Sequence, residues 1–257
     1  VGKTWVTARL ARALRERNVT VAARKPAQSF DAEDLRTDAD ELGDATGEPP
    51  DEVCPPHRWY PIAMAPPMAA DALGREPIFL GELLAELRDS WPGRAPDVGL
   101  VELAGGTRSP LAHDGDGIDL LVGLTPDLVL LVADAGLGTI SAVRHSVGAL
   151  AGNPVAVMLN RFDPDDDLHR RNRDWLVEYE HLDPLTDLDA LVGVVMDLLP
   201  TYCTGCGRPA AECLGGCAPP LDPPRHCPRC GRRLAVTITP LGVQARCRDH
   251  GQIDDWT

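Results

Sequence analysis

Val1-Gly2-Lys3-Thr4 carries the residue types that bind a phosphate. In the pattern G-x-x-x-x-G-K-[ST], backbone N–H groups cradle nucleotide phosphates, the lysine reaches the β- and γ-phosphates, and the hydroxyl takes a coordination position on Mg²⁺. The sequence opens inside that pattern, so the reading rests on the residues after Thr4. From Trp5 to Arg15 the apolar positions Val6, Leu10, Ala13 and Leu14 fall on one helical face. A helix N-terminus then stands where an anion is stabilised.

Four further side chains have types suited to work beside a phosphate. Lys25 follows the β-branched run Val19 to Ala23. If it faces the same phosphate as Lys3, the two charges stabilise a phosphoryl group in transfer; otherwise it is an exposed lysine at a strand end. Glu102 ends an apolar run just before Ala104-Gly105-Gly106, where a carboxylate is costly to bury without a partner. Asp38 lies in an acidic stretch, and reads either as a solvated helix face or, with Glu102, as a hard oxygen ligand for Mg²⁺. Asn160, at the end of Val155 to Leu159, is either a turn residue or an amide presented to a purine edge.

The elements that must position these residues alternate. A helix is expected from Thr4 to Arg15, a strand at Val19 to Ala23, and a helix at Ala32 to Leu42. An irregular proline-rich stretch comes next around Pro55 to Pro67, then helices at Met68 to Leu73 and Leu80 to Leu87. Strands are expected at Asp97 to Leu103, Leu128 to Ala133 and Val155 to Leu159. Helices running to Leu150 and to about Tyr179 come between and after them, and Leu191 to Val195 is a last short candidate strand. Wholly apolar strands alternating with helices imply an α/β fold with a parallel sheet covered on both faces. In such sheets ligands bind at the C-terminal strand ends, where Lys25, Glu102 and Asn160 fall.

The net charge of -14 over 257 residues argues against nucleic acid or an anionic membrane as the main partner. No run approaches the ~18 apolar residues of a membrane span, and no signal peptide is seen, so a cytoplasmic protein is expected.

From Val1 to about Pro200 the chain resembles the dethiobiotin synthetase family. Five segments carry the resemblance, in order: Val1-Gly2-Lys3-Thr4; Lys25-Pro26-Ala27-Gln28-Ser29; Asp38; Val101-Glu102-Leu103-Ala104-Gly105-Gly106 with Ser109-Pro110-Leu111; and Gly136-Leu137-Gly138-Thr139-Ile140 with Asn160. The resemblance implies a P-loop NTPase-like fold and an ATP- and Mg²⁺-dependent cyclo-ligase, working as a homodimer, that joins 7,8-diaminopelargonate and CO₂ into dethiobiotin. Carried over by position, Val1, Gly2, Lys3 and Thr4 bind ATP, and Asn160 reads its adenine. Thr4, Asp38 and Glu102 hold Mg²⁺. Lys3 and Lys25 are catalytic, and Lys25, Ser29 and Ser109 contact substrate. Phe30, Leu103 and Ser141 depart from the family's Gly, Gly and Asn, all near where the family binds its acceptor. Two other readings stay open: the same ligase chemistry on a different acceptor, and a partitioning-type ATPase switch.

Seven of the eight cysteines lie beyond residue 200, which sets a domain boundary there, with 1–200 the nucleotide enzyme and 201–257 an appendage. Cys227-x₂-Cys230 and Cys247-x₂-His250 flank the β-prone stretch Leu234 to Thr239, the pattern of a zinc ribbon. Cys203, Cys206, Cys213 and Cys217 make a second set. Either each set binds its own zinc, or the Cys203-Cys206 turn shares one with Cys227 and Cys230. A disulfide framework is disfavoured in a reducing compartment, and an iron–sulfur centre is a further, minor alternative. Closed four-ligand sites of this kind are structural. Tail arginines such as Arg208, Arg225 and Arg246 lack the interleaved aromatics that stack nucleic-acid bases. Cys54 stands alone as a free thiol.

Overall fold

The computed structural model describes residues 1–91, 93, 95–217, 222–239 and 242–253. It divides into two compact units, Val1–Arg15 with Val21–Gly193, and Glu16–Thr20 with Val194–Thr257. In chain order the elements are α1 (Lys3–Glu16), β1 (Val21–Arg24), β2 (Gln28–Ser29), α2 (Asp38–Thr46), α3 (Pro50–Val53), β3 (Trp59–Tyr60), α4 (Pro66–Ala72) and α5 (Leu80–Asp89). Next come β4 (Val98–Val101), β5 (Pro110–Ala112), β6 (Gly115–Asp116), α6 (Gly117–Leu124), β7 (Val129–Asp134), α7 (Thr139–Ala149), β8 (Val155–Asn160), α8 (Asp167–Glu180) and α9 (Leu188–Leu198). The cysteine-rich part carries β9 (Ala235–Thr239), β10 (Gly242–Cys247) and β11 (Gly251–Ile253), an antiparallel sheet in the order β11-β10-β9.

The architecture of the larger unit is the expected α/β alternation. β1 pairs parallel with β4, and β7 with β8. All four residues of β1 are buried, which favours the apolar, partly β-branched sequence Val-Ala-Ala over an alternating one. The helix after the phosphate-binding residues buries Val6, Leu10, Ala13 and Leu14, the face its spacing predicts. Apolar clusters among the described residues hold the unit together. One gathers Tyr60, Ile78, Leu83, Leu111 and Leu120, and another Ala133, Val143, Val157, Leu159 and Leu176.

Two expected elements are corrected. The helix expected from Ala32 begins instead at Asp38, because Asp31 Oδ1 accepts from the Glu33 amide at 3.0 Å and Asp34 Oδ2 from the Asp31 amide at 3.2 Å. Such local side-chain bonds compete with a helix. Thr37 then starts α2 with a reciprocal capping box to Asp40. The expected strand at Leu191 to Val195 lies inside α9, where Leu191, Val192 and Val195 share a buried helical face. A short apolar run does not by its period separate strand from helix. Besides β7, β8 has a parallel bridge three residues before α9, Leu185 against Met158.

Candidate functional site

The register of one strand pair creates the centre of the site. Arg24 lies opposite Val101, so the next residues, Lys25 and Glu102, leave the ends of β1 and β4 side by side. The Glu102 amide continues the ladder onto the Arg24 carbonyl at 2.9 Å. Lys25 Nζ then reaches Glu102 Oε1 at 2.9 Å, with both side chains under 5% exposed. Charges this deep persist only when paired.

Asp38 enters from α2, at the first helical residue after the Thr37 cap. A carboxylate there is stabilised by the helix N-terminus. Lys25 Nζ pairs with Asp38 Oδ2 at 2.6 Å. Gln28, 1% exposed on β2, fixes this end of the helix from below: its Oε1 accepts from the Ala39 amide at 3.0 Å and its Nε2 donates to Thr37 Oγ1 at 3.3 Å. Sequence reading did not single out Gln28 for this role. The signal was an amide side chain embedded beside Ala27, on a strand leading straight to the site.

Thr4, in the first turn of α1, completes the group. Its Oγ1 lies 2.9 Å from Asp38 Oδ1 and 2.7 Å from Glu102 Oε1. One hydroxyl proton serves only one of these contacts at a time. Glu102 Oε2, meanwhile, is buried with no hydrogen-bond partner among the described residues. Neighbouring ligands of an octahedral Mg²⁺ with bonds of ~2.0–2.1 Å stand about 2.9 Å apart. Hard oxygens at that spacing, with one buried carboxylate oxygen unsatisfied, fit Mg²⁺.

The charges are mutually set. Burial works against the Lys25 ammonium, but Glu102 and Asp38 outweigh it and raise its pKa above the usual 10.5. Burial likewise works against the Asp38 carboxylate, and Lys25, helped by Thr4 and Lys3, outweighs it and holds Asp38 below its usual 3.8.

Thr4, Lys25, Asp38 and Glu102 are therefore brought together. Gly2 and Asn160 meet as well: Asn160 Nδ2 donates to the Val1 carbonyl at 2.9 Å, and a Cβ on Gly2 would fall 2.6 Å from that nitrogen. Gly2 also has a φ of +79°, so glycine is required there twice over. Ser109 folds onto the glycine turn, its Oγ accepting from the Gly106 amide at 2.8 Å. Ser29 sits on β2, paired with Tyr60. Asn172 is another residue that sequence reading missed; it braces the Ala135-Gly136 turn from α8 with bonds of 2.9 and 3.0 Å to those carbonyls.

The three departures differ in setting. Leu103 packs against the apolar cluster around Leu111 and Leu120. Phe30 stands edge-on to Trp59, with ring centroids 6.3 Å apart. Ser141 lies exposed on α7 beside His145.

In the tail, Cys203, Cys206, Cys213 and Cys217 converge on one point, and Cys227, Cys230, Cys247 and His250 on another. The shared set of Cys203, Cys206, Cys227 and Cys230 is not formed. All eight cysteines are free. Burial pushes the Cys54 thiol up to about 12, so it is no nucleophile near neutrality.

Parallel strands, a Gly-Lys-Thr helix start and a lysine–carboxylate–threonine cluster at the strand ends define a P-loop nucleotide-binding α/β protein. A family model described as an AAA domain matches residues 1–194. An ATP-dependent dethiobiotin synthetase BioD of Anaeromyxobacter dehalogenans (strain 2CP-C) is 38% identical over 172 residues, 65% of this chain and 74% of that protein. Proteins of the same name from Caulobacter sp. (strain K31) and Caulobacter vibrioides (strain NA1000 / CB15N) are 37% and 32% identical. They match 61% of this chain each, and 68% and 72% of their own lengths. The chain belongs to the ATP-dependent dethiobiotin synthetase family. Among the described residues, no helix is long and apolar enough to cross a membrane.

Proposed function

We propose that the residues to about 200 form an enzyme that carboxylates 7,8-diaminopelargonate and closes it to dethiobiotin, consuming ATP. The observation that carries this reading is the convergence of Thr4, Lys25, Asp38 and Glu102 at the strand ends in a chain of this family. One amine of the substrate adds to CO₂ to give a carbamate. A carbamate oxygen attacks the γ-phosphorus of ATP and ADP leaves. The second amine then attacks the carbamate carbon, phosphate departs, and the ureido ring is closed.

The amides of Val1, Gly2 and Lys3 cradle the phosphates, and the Lys3 ammonium meets the β- and γ-phosphates. Lys25, held charged by its two carboxylates, neutralises the carbamate and the phosphoryl group in transfer. Thr4, Asp38 and Glu102 hold Mg²⁺, which when bound offsets phosphate charge. Asn160, fixed by one amide hydrogen to Val1, keeps a second hydrogen and Oδ1 for the purine edge. Ser29 and Ser109 contact the acceptor, in a homodimer that operates in the cytoplasm. Most of the rate enhancement comes from positioning and charge, as is general for phosphoryl transfer.

The test is ADP release with Mg-ATP, bicarbonate and a panel of amine acceptors. Turnover of diaminopelargonate above other diamines supports the reading. Turnover of a different amine alone moves the chain to another acceptor, a result to which Phe30 and Ser141 would contribute.

A further inference from the structure

The matched family model ends at residue 194, and the reaction above uses none of the tail's cysteines. Their geometry is specific. Sγ of Cys213 lies 3.9 Å from Cys206 and 3.4 Å from Cys217. In the other group Cys230 and Cys247 are 3.7 Å apart, and His250 Nδ1 lies 3.5 Å from Cys227 and 3.6 Å from Cys247. A tetrahedral ion bound at ~2.3 Å by sulfur and ~2.0–2.1 Å by nitrogen spaces sulfurs about 3.8 Å apart and sulfur from nitrogen about 3.6 Å. Disulfide sulfurs would be ~2.05 Å apart.

The backbone explains why there are two such points. The Cys203-Cys206 and Cys227-Cys230 turns are copies of one another. Gly207 N donates to Cys203 O at 2.8 Å, and Gly231 N to Cys227 O at 2.9 Å. Cys203 N donates to Arg208 O and Cys227 N to Arg232 O, both at 2.8 Å. Across the pair, Tyr202 N donates to Pro228 O at 2.7 Å and His226 N to Thr204 O at 2.9 Å, a reciprocal exchange. The two glycines, with φ of +74° and +67°, abut: a Cβ on Gly207 would lie 2.6 Å from Gly231 O, and one on Gly231 would lie 2.5 Å from Gly207 O. The duplicated turns are thus locked together through their glycines, while each pair of thiols meets its own second pair.

We propose that the tail binds two structural Zn²⁺ ions, one held by Cys203, Cys206, Cys213 and Cys217 and the other by Cys227, Cys230, Cys247 and His250. Thiolate and imidazole donors in closed tetrahedra suit zinc, and four protein ligands leave no open position for catalysis. Cys227, Cys247 and His250 are at most 2% exposed, where thiolates need a cation beside them.

The test is metal analysis and zinc-edge X-ray absorption on the full chain purified without chelator. The expected result is two zinc per chain, with an average first shell of about 3.5 sulfurs and 0.5 nitrogen. The Cys213→Ser/Cys217→Ser variant should keep one zinc with three sulfurs and one nitrogen. The Cys247→Ser/His250→Ala variant should keep one with four sulfurs. One zinc in the native chain, retained by both variants, would mean the turns share an ion and would overturn the assignment. Iron in place of zinc, or no metal, would overturn it equally, and the native measurement decides this even if a variant fails to fold.

Discussion

Lys25 Nζ lies 2.9 Å from Glu102 Oε1 because two parallel strands are registered with Arg24 opposite Val101, so the buried pair follows from backbone pairing. Both charges are out of water, and Glu102 Oε2 has no hydrogen-bond partner among the described residues. The pair's value is therefore a preformed charge arrangement at the strand ends, held by the rest of the unit.

Replacing Lys25 by Met strands the Glu102 carboxylate. Chemical denaturation should show a loss of ~3–5 kcal/mol, the usual cost of removing one partner of a buried pair. The Lys25→Met/Glu102→Gln double variant should recover most of that stability and none of the ADP release. Recovered activity in the double variant would show that the pair is only structural.

The pH dependence of the same contrast has a defined shape. A raised lysine stabilises fully below its unfolded value of 10.5, and loses that contribution as pH rises through the folded value. A lowered carboxylate stabilises fully above 3.8, and loses it as pH falls through its folded value. The Tm difference between wild type and the Lys25→Met/Glu102→Gln double variant, which leaves no stranded carboxylate at position 102, should therefore stay flat from about pH 5 to about pH 9 and narrow beyond both ends. A steep slope near neutrality would contradict the paired state.

Gln28 should act on Mg²⁺ through Asp38. With its bonds to Ala39 and Thr37 removed in Gln28→Ala, the start of α2 loosens. Apparent Mg²⁺ affinity in the ATP complex is expected to fall ~10–100-fold, the range for groups that orient metal ligands. Nucleotide affinity without Mg²⁺ should change little. An equal loss in both would reassign Gln28 to general stability.

Gly231→Ala should disturb both cysteine groups, because its Cβ would lie 2.5 Å from Gly207 O and its φ is positive. Released zinc, tracked with a chromophoric chelator, should show both ions exchanging faster than in wild type. Acceleration of one ion alone would mean that the turns are energetically separate.

Much of this was legible in the sequence, and for physical reasons. The α1 face was visible because a period of 3.6 over a dozen residues has few alternatives. Glu102 stood out because a charge ending an apolar run needs a partner. Spacing alone did not decide whether Asp38 belonged to a solvated acidic stretch, since its place depends on the Thr37 cap and on Gln28, a contact across elements. Ligand grouping in the tail was undecided for a similar reason: Cys-x-x-Cys turns look alike along the chain, and only the convergence of each turn on its own second pair of ligands separates two groups from one. At Leu191 the run was too short for its period to speak, and the Asp187 carboxylate, accepting from the Ala190 amide at 2.8 Å, helps start a helix.

The central claim is that this site activates a carbamate with ATP. Full-length protein incubated with ¹³C-bicarbonate, diaminopelargonate and Mg-ATP should yield dethiobiotin carrying one ¹³C in its ureido carbon, with one ADP formed per product. ADP accumulating without labelled product, or bound nucleotide with no turnover of that diamine, would contradict it.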